Sequence, residues 1–330
     1  MGGKSENTTG SGCPEVPGRF EDLDFETLWR GREKVISNER YILSLLMKKA
    51  DGRRVLEIGT GDGRLTGVVR SGCLEYVGTD INPAFLKKVY ARHSGRKMIL
   101  VPSNLYHLPF RDNSFTTVVM IRVFNFLSRP DSALLEILRV LSPGGSIILS
   151  YNPTPSIATF VDDIKVLLRY PELRSDWKPV TFSRGGMVRV QPSGTPSFAC
   201  SGDYFNKLMH DAGFVKVAEC ASGIEDYRCA ERMPLAFFQK IASGFPHLPL
   251  LPTRFQLARK AEGSGEVISD IASIYCCPRC RNPMHIDGDA PESYCLRCGF
   301  NAIATEGLTD FRYFPDMTGH SANDPARKVQ

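Results

Sequence analysis

An apolar run, Val55-Leu56-Glu57-Ile58, ends in Gly59-Thr60-Gly61-Asp62-Gly63-Arg64, and Asp80, 17 residues after Gly63, closes a second apolar run, Tyr76–Thr79. This pattern predicts strand, tight glycine turn, helix, strand, acid. Glycines let the backbone turn sharply and approach a ligand closely. The helix behind them offers free N–H groups at its N-terminus. An acid at the carboxyl end of the second strand can accept hydrogen bonds from the ribose hydroxyls of an adenosine ligand. A chain with this unit is committed to an α/β fold with a parallel sheet.

The spacing says which adenosine ligand. The dinucleotide fingerprint is G-x-G-x-x-G. Gly59 and Gly61 fit it, but Arg64 holds the last position and the third glycine, Gly63, comes one residue early. That argues against NAD and for S-adenosylmethionine (SAM). Two further segments follow in order: Leu108-Pro109-Phe110-Arg111-Asp112-Asn113-Ser114-Phe115, and Glu136-Ile137-Leu138-Arg139-Val140-Leu141-Ser142-Pro143-Gly144-Gly145. With these, Val55–Asn152 resembles the class I SAM-dependent methyltransferases, of the type 11-like group. The resemblance implies a Rossmann-like sheet with helices on both faces. It also implies cofactor-binding roles for Glu57, Gly59, Gly61, Gly63, Asp80, Ile81, Asn104, Leu105 and Arg122. Asn104 stands where the family commonly has Asp, and Thr116 where it often has Asp after Ser-Phe.

The order of elements follows from periodicity. Strands are expected at Val55–Ile58, Tyr76–Thr79, Met98–Val101, Thr117–Ile121 and Ser146–Ser150. A further strand is expected at Phe214–Glu219, and Phe255–Arg259 as the antiparallel strand that closes this fold in the family. Helices are expected within Phe20–Lys49, at Leu65–Val69, at Ser132–Leu141, and at Tyr204–Ala212, stopped by Gly213. Asn82 and Pro83 form an N-cap and first-turn pair for a helix through about Arg92. The segment 153–199, carrying Lys165, Arg169, Tyr170, Arg174, Trp177, Lys178, Phe182, Arg184 and Arg189, falls on the ligand side of the sheet. It reads as a substrate-side insert or as a variable surface loop.

Near the C-terminus, Cys277-Pro278-Arg279-Cys280 and Cys295-Leu296-Arg297-Cys298-Gly299 form two C-x2-C knuckles separated by 14 residues. Four thiolates so spaced suit tetrahedral Zn²⁺, in a closed structural site without a position for catalytic water. Cys276 adjoins the first knuckle; the C-P-x-C form favours Cys277 as the ligand. The stretch resembles the zinc ribbon of the small activator subunit of tRNA, rRNA and release-factor methyltransferases, which implies a stabilising or substrate-presenting role and a possible docking surface for a protein partner. Cys13, Cys73, Cys200, Cys220 and Cys229 show no ligand spacing and read as buried thiols.

The expected organisation is a flexible tail at 1–18, a methyltransferase domain at 19–261, a Gly/Ser linker at 262–269, a zinc ribbon at 270–316 and a second tail at 317–330. The ends are polar. No apolar run reaches the length of a membrane span and no signal-peptide core is present, so a cytoplasmic protein without membrane contact is expected. From Gly265 onward 6 Lys/Arg face 9 Asp/Glu, a net −3; of the chain's 41 basic and 36 acidic residues, 35 and 27 remain, a net +8. A basic body suits an anionic acceptor such as RNA, and is equally the solvated surface of a body acting on a protein or a small molecule. No general base is legible. Asn125 cannot take a proton at neutral pH, and His107 reads as a base or as a structural residue. Without a base, a non-catalytic SAM-binding protein stays open beside the enzyme.

Overall fold

The structure is a computed structural model that describes residues 29–93, 98–154, 156, 164, 186–190, 196–223, 225, 232–245, 251–261, 263, 265, 267–284, 292–305 and 307–315. The two expected tails, Cys13, Cys229, linker residues Glu262, Ser264 and Glu266, and insert residues Lys165 through Arg184 lie outside the described residues.

The elements run α1 (Glu33–Met47), β1 (Arg54–Ile58), α2 (Thr66–Ser71), β2 (Glu75–Asp80), α3 (Pro83–Arg92), β3 (Ile99–Pro102), β4 (Phe115–Met120), α4 (Pro130–Val140) and β5 (Leu141–Tyr151). Then come β6 (Pro153–Thr154), β7 (Gly186–Val190), β8 (Pro196–Ser201), α5 (Gly202–Asp211), β9 (Phe214–Ser222), α6 (Leu235–Gly244) and β10 (Thr253–Lys260). The last three are β11 (Glu292–Tyr294), β12 (Asn301–Thr305) and β13 (Leu308–Asp310). Strands β3-β2-β1-β4-β5-β10-β9 form one seven-stranded sheet. The first five are parallel, and β10 lies antiparallel between β5 and β9. Phe255–Arg259, the expected closing strand, is thus an inner strand near one edge.

Local chemistry sets the element ends. Asn82 accepts the Ala84 N–H at 2.9 Å and Pro83 opens α3, where its missing N–H costs nothing. Ser201 accepts the Tyr204 N–H at 3.2 Å and opens α5, and Gly213, at φ +92°, ends that turn in a conformation glycine tolerates best. Helix α6 is not among the helices expected from the sequence. It forms by burying Phe238 and Ala242 against α1 and β9. The insert contributes the small sheet β6-β8-β7, which periodicity did not suggest.

Glu136 and Arg139 of α4 explain why two separated motifs travel together. The Glu136 carboxylate accepts the Leu108 N–H at 2.8 Å and pairs with Arg139 at 2.9 Å. Arg139 in turn donates to the carbonyls of Phe110 (2.6 Å) and Leu108 (3.3 Å) and pairs with Asp112 at 2.8 Å. The α4 pair therefore clamps the loop that leads into β4. Thr116 is also structural. Its hydroxyl accepts the Arg54 N–H at 3.0 Å and donates to Asp51 O at 2.8 Å, at the start of β4 and away from the carboxyl edge of the sheet.

The cysteine-bearing segment packs into the main core rather than hanging beside it. Ile274, Cys277, Met284, Phe300, Ala302 and Phe311 belong to one buried cluster with Leu108, Phe110 and Phe115. Tyr275 bridges to Phe110 through Arg111 N–H donating to Ile274 O (2.7 Å) and Cys276 N–H donating to Pro109 O (3.0 Å). Arg281 pairs with Glu136 at 2.8 Å, so one carboxylate holds both the β4 loop and the first knuckle.

Removing this carboxylate leaves Arg281 without its counter-charge and Arg139 with only the exposed Asp112. Glu136→Ala is expected to cost about 3 kcal/mol of stability. Glu136→Gln, which keeps an acceptor for Leu108, should cost less. Urea unfolding of the two variants and the wild type measures the difference.

Candidate functional site: a glycine-loop crevice and a four-cysteine cluster

The carboxyl ends of β1 to β4 face one edge, and the loops leaving them carry the residues singled out in the sequence. The Gly59–Gly63 loop leaves β1, Asp80 ends β2 with Ile81 next, Asn104 and Leu105 follow β3, and Arg122 follows β4. Ligands of open parallel sheets bind outside these ends.

The loop is held by Asp80. Its carboxylate accepts the Gly61 N–H at 2.9 Å through one oxygen and the Asn82 N–H at 2.9 Å through the other. Thr79 O accepts the N–H groups of Gly59 (2.8 Å) and Thr60 (3.2 Å). Two glycines are required by space as well as by conformation. At Gly59, φ is +68° and a Cβ would lie 2.2 Å from the Val123 side chain; at Gly63, φ is +81° and a Cβ would press on Val89 at 3.2 Å. Gly61 has φ +53°.

Glu57 lies beneath the loop, buried. Its carboxyl accepts Tyr76 O–H at 2.6 Å and Thr66 O–H at 2.9 Å. Burial pushes Glu57 up to about 7, against the lowering effect of these two donors. Burial also pushes Asp80 up to about 6, opposed by the backbone N–H groups of Asn82, Gly61 and Ile81.

Asn104 is buried and its amide is shared. Its Oδ1 accepts the Tyr106 N–H at 3.1 Å, and its Nδ2 donates to Tyr313 O at 3.0 Å. Leu105 is half-buried against the core. Ile81 O accepts from Arg312 at 3.3 Å. The C-terminal segment therefore reaches the β2–β3 side of the crevice, a placement absent from the sequence reading. His107 packs edge-on to Tyr313 with ring centroids 5.1 Å apart, and Asn125 accepts the Asn152 N–H at 3.2 Å.

Arg122 stands at φ +63°, in a conformation unusual for a long side chain, with its N–H donating to Ser150 Oγ at 2.8 Å. Its guanidinium pairs with Glu39 of α1 at 2.6 Å, and Arg64 pairs with the other carboxylate oxygen. Burial pushes the Glu39 carboxyl up, but the adjacent Arg122 and Arg64 charges outweigh it and hold Glu39 below the ordinary carboxylate value. Glu39 was not singled out in the sequence. A helical Glu carries no motif, and only the approach of α1 to the glycine loop reveals its role.

Away from the crevice, the thiols of Cys277, Cys280, Cys295 and Cys298 lie within 4.8 Å of one another. Cys277 and Cys298 sulfurs are 3.5 Å apart and Cys280 and Cys295 sulfurs 3.4 Å apart, too long for disulfide bonds. Around a tetrahedral Zn²⁺ with Zn–S of about 2.3 Å the sulfurs stand a little under 4 Å apart, so the donor set is compatible with a structural zinc. Backbone N–H groups of Cys280 and Arg279 point to the Cys277 sulfur, and those of Cys298 and Arg297 to the Cys295 sulfur, the donors a bound thiolate needs. Gly299 supplies φ +71° after the second knuckle. Cys276 is buried outside the cluster; burial raises its thiol, against the lowering effect of Arg139 and Arg281.

A raised carboxyl makes stability depend on pH. Glu57 binds its proton more tightly folded than unfolded, so its contribution is complete below its ordinary 4.5 and is lost as the pH rises through about 7. Between pH 5 and pH 8 the wild type is expected to lose about 2–3 kcal/mol more stability than Glu57→Gln. Denaturant unfolding of both proteins at the two pH values checks this.

Residues 56–149 match the profile of the family described as a methyltransferase domain. A probable S-adenosylmethionine-dependent methyltransferase of Mycobacterium tuberculosis is 26% identical over 199 residues, 60% of each chain. The demethylmenaquinone methyltransferase of Thermus thermophilus is 32% identical over 127 residues, 37% of this chain and 56% of that one. The chain thus spans about 60% or less of the length of these curated relatives. Among solved structures, magnesium protoporphyrin IX methyltransferase of Synechocystis PCC 6803 shares the fold at a TM-score of 0.50 and 13% identity, over 73% of this chain and 96% of that one. Residues 56–149, which carry most of the parallel strands of the sheet, are thus similar to a methyltransferase domain.

Proposed function

We propose that the chain transfers a methyl group from SAM to an acceptor bound above the carboxyl edge of the sheet. The observation that carries this reading is the Asp80-held glycine loop at that edge, within a segment matching the methyltransferase profile. Bound there, SAM would supply an electrophilic methyl group on its sulfonium to the acceptor's lone pair, leaving as the thioether while the acceptor's proton passes to solvent. Asp80 accepts the ribose hydroxyls while its bonds to Gly61 and Asn82 keep the carboxylate aimed. The glycines admit the ligand against the loop backbone. Glu57, tied to Thr66 and Tyr76, fixes the loop from below. Ile81 and Leu105 would flank the adenine, and a second lone pair of Asn104 Oδ1 would accept from its amino group. Arg122 lies toward the methyl side.

The acceptor read here is RNA or a translation-related protein, supported by the basic body and by the likeness of the cysteine segment to activator-subunit ribbons. A small-molecule acceptor is the second reading, favoured by the name of the demethylmenaquinone relative. The four cysteines hold one zinc, which fixes the ribbon and takes no part in the transfer. Among the described residues no helix is long and apolar enough to cross a membrane.

Incubation of labelled SAM with a cell extract should place label in one of the RNA, protein or small-molecule fractions, and Asp80→Ala should abolish both the label and SAM binding. SAM binding without label in any fraction contradicts the transferase reading. For the metal, one zinc per chain is expected by elemental analysis; Cys277→Ser and Cys298→Ser should lose it, whereas Cys276→Ser should keep it.

A further inference from the structure

From Gly265 onward the chain is acidic as a whole, but its charge is unevenly placed. Residues 276–284 and 293–305, which hold the two cysteine knuckles, contain Arg279, Arg281 and Arg297 and no Asp or Glu. Arg281 is engaged by Glu136 and by Leu108 O. Arg279 and Arg297, one in each knuckle turn, are exposed, and among the described residues neither makes an ion pair. Their side chains cross between the knuckles instead. Arg279 donates to Cys298 O at 3.5 Å, and Arg297 donates to Asn282 Oδ1 at 3.3 Å. The head of Arg279 therefore lies at residue 298, next to Arg297 in the chain.

A zinc held by four thiolates would leave a net −2 behind these turns. The backbone N–H groups of the same two arginines point to the Cys277 and Cys295 sulfurs, so the backbone screens the thiolates while the exposed guanidinium groups keep their charge for solvent. Beside them, alternation along β11 and into the second knuckle buries Ser293 and Cys295 and turns Tyr294 and Leu296 outward, 65% and 90% exposed. An open ring face next to fixed cations is the pairing that suits unstacked bases and their phosphates. The face is also fixed relative to the crevice. Phe300, two residues after Cys298, packs edge-on to Tyr313 with centroids 6.1 Å apart, and Tyr313 packs edge-on to His107, in the loop that follows β3.

We propose that Arg279, Arg297, Tyr294 and Leu296 form a docking face for single-stranded RNA, with the arginines on phosphates and the Tyr294 ring on a base. A strand anchored at the knuckles would present another of its nucleotides to the crevice. The inference rests on reading RNA as the acceptor. Two cations without a carboxylate beside an open ring favour a polyanion with exposed bases over a protein surface.

Fluorescence anisotropy is measured with a mixed-sequence single-stranded RNA of about 15 nucleotides and with a duplex of the same RNA. The single strand should bind more tightly than the duplex, whose stacked bases offer Tyr294 no face. Arg279→Gln combined with Arg297→Gln should weaken single-strand binding about tenfold or more and flatten the slope of log K against log salt by about 1.4, two phosphate contacts at ~0.7 each. Tyr294→Ala should weaken it about fivefold or more at an unchanged slope, and Tyr294→Phe, which keeps the ring, should bind as the wild type does. Zinc content and SAM binding, read on each variant, should match the wild type. A double arginine variant that sheds its zinc would show these cations serving the thiolates and would overturn the proposal. A wild type without affinity for either RNA overturns it as well. So does RNA affinity unaltered in both the arginine double variant and Tyr294→Ala, which would leave the face to a protein partner. Methyl label in any fraction of the extract would then still uphold the transferase reading. RNA bound through the knuckles without methyl transfer to any fraction would instead overturn the transferase reading and leave the docking face standing.

Discussion

The carboxylate of Glu136 is the junction on which the two parts of this chain depend. It receives Leu108 N–H from the loop entering β4, Arg139 from its own helix, and Arg281 from the first cysteine knuckle. Buried charge is costly unless every lone pair and proton finds a partner. Here the partners come from three regions of the chain, so the ion cluster can form only when all three are in place. The loop it fixes leads into β4, whose other end presents Arg122 and Val123 to the glycine loop.

Packing around that junction makes the cysteine segment part of the core of the sheet. Phe311 N–H donates to Pro102 O at the end of β3, and Asn104 donates to Tyr313 O one loop further on. Arg54 of β1 donates to the carbonyls of Ile268 and Ser269 at 2.7 and 2.9 Å. A segment this closely bonded to the sheet cannot loosen without disturbing backbone groups beside the crevice. The sequence reading treated 270–316 as a module beyond a Gly/Ser linker. Composition displays a linker plainly but gives no sign of which surface the next segment covers.

The crevice divides in the same way. Gly59, Gly61, Gly63 and Asp80 were legible because a tight turn, a close approach and a strand-end acid leave a fixed spacing, and the structure brings them together through the Asp80–Gly61 bond. Glu39 was not legible, nor was the encounter of Trp29, Arg64 and Arg122, because those residues lie on three separate segments with no periodic relation. The same holds for the role of Thr116. Thr116 departs from the family's motif, and the fold shows its hydroxyl tying β4 to β1 at the end of the sheet remote from the crevice.

Sequence alone determined the α/β class, the order of strands and helices through β5, the caps at Asn82 and Gly213, and the pairing of two C-x2-C knuckles. Each of these is encoded by local stereochemistry or by hydrophobic period, which acts over a few residues. Only the tertiary structure decided that β10 lies inside the sheet, that Cys277 rather than Cys276 joins the thiol cluster, that α6 exists, and that one buried glutamate unites the cysteine segment with the sheet. Those outcomes depend on which distant groups meet, and burial fixes such meetings by making any unpaired partner too costly to keep.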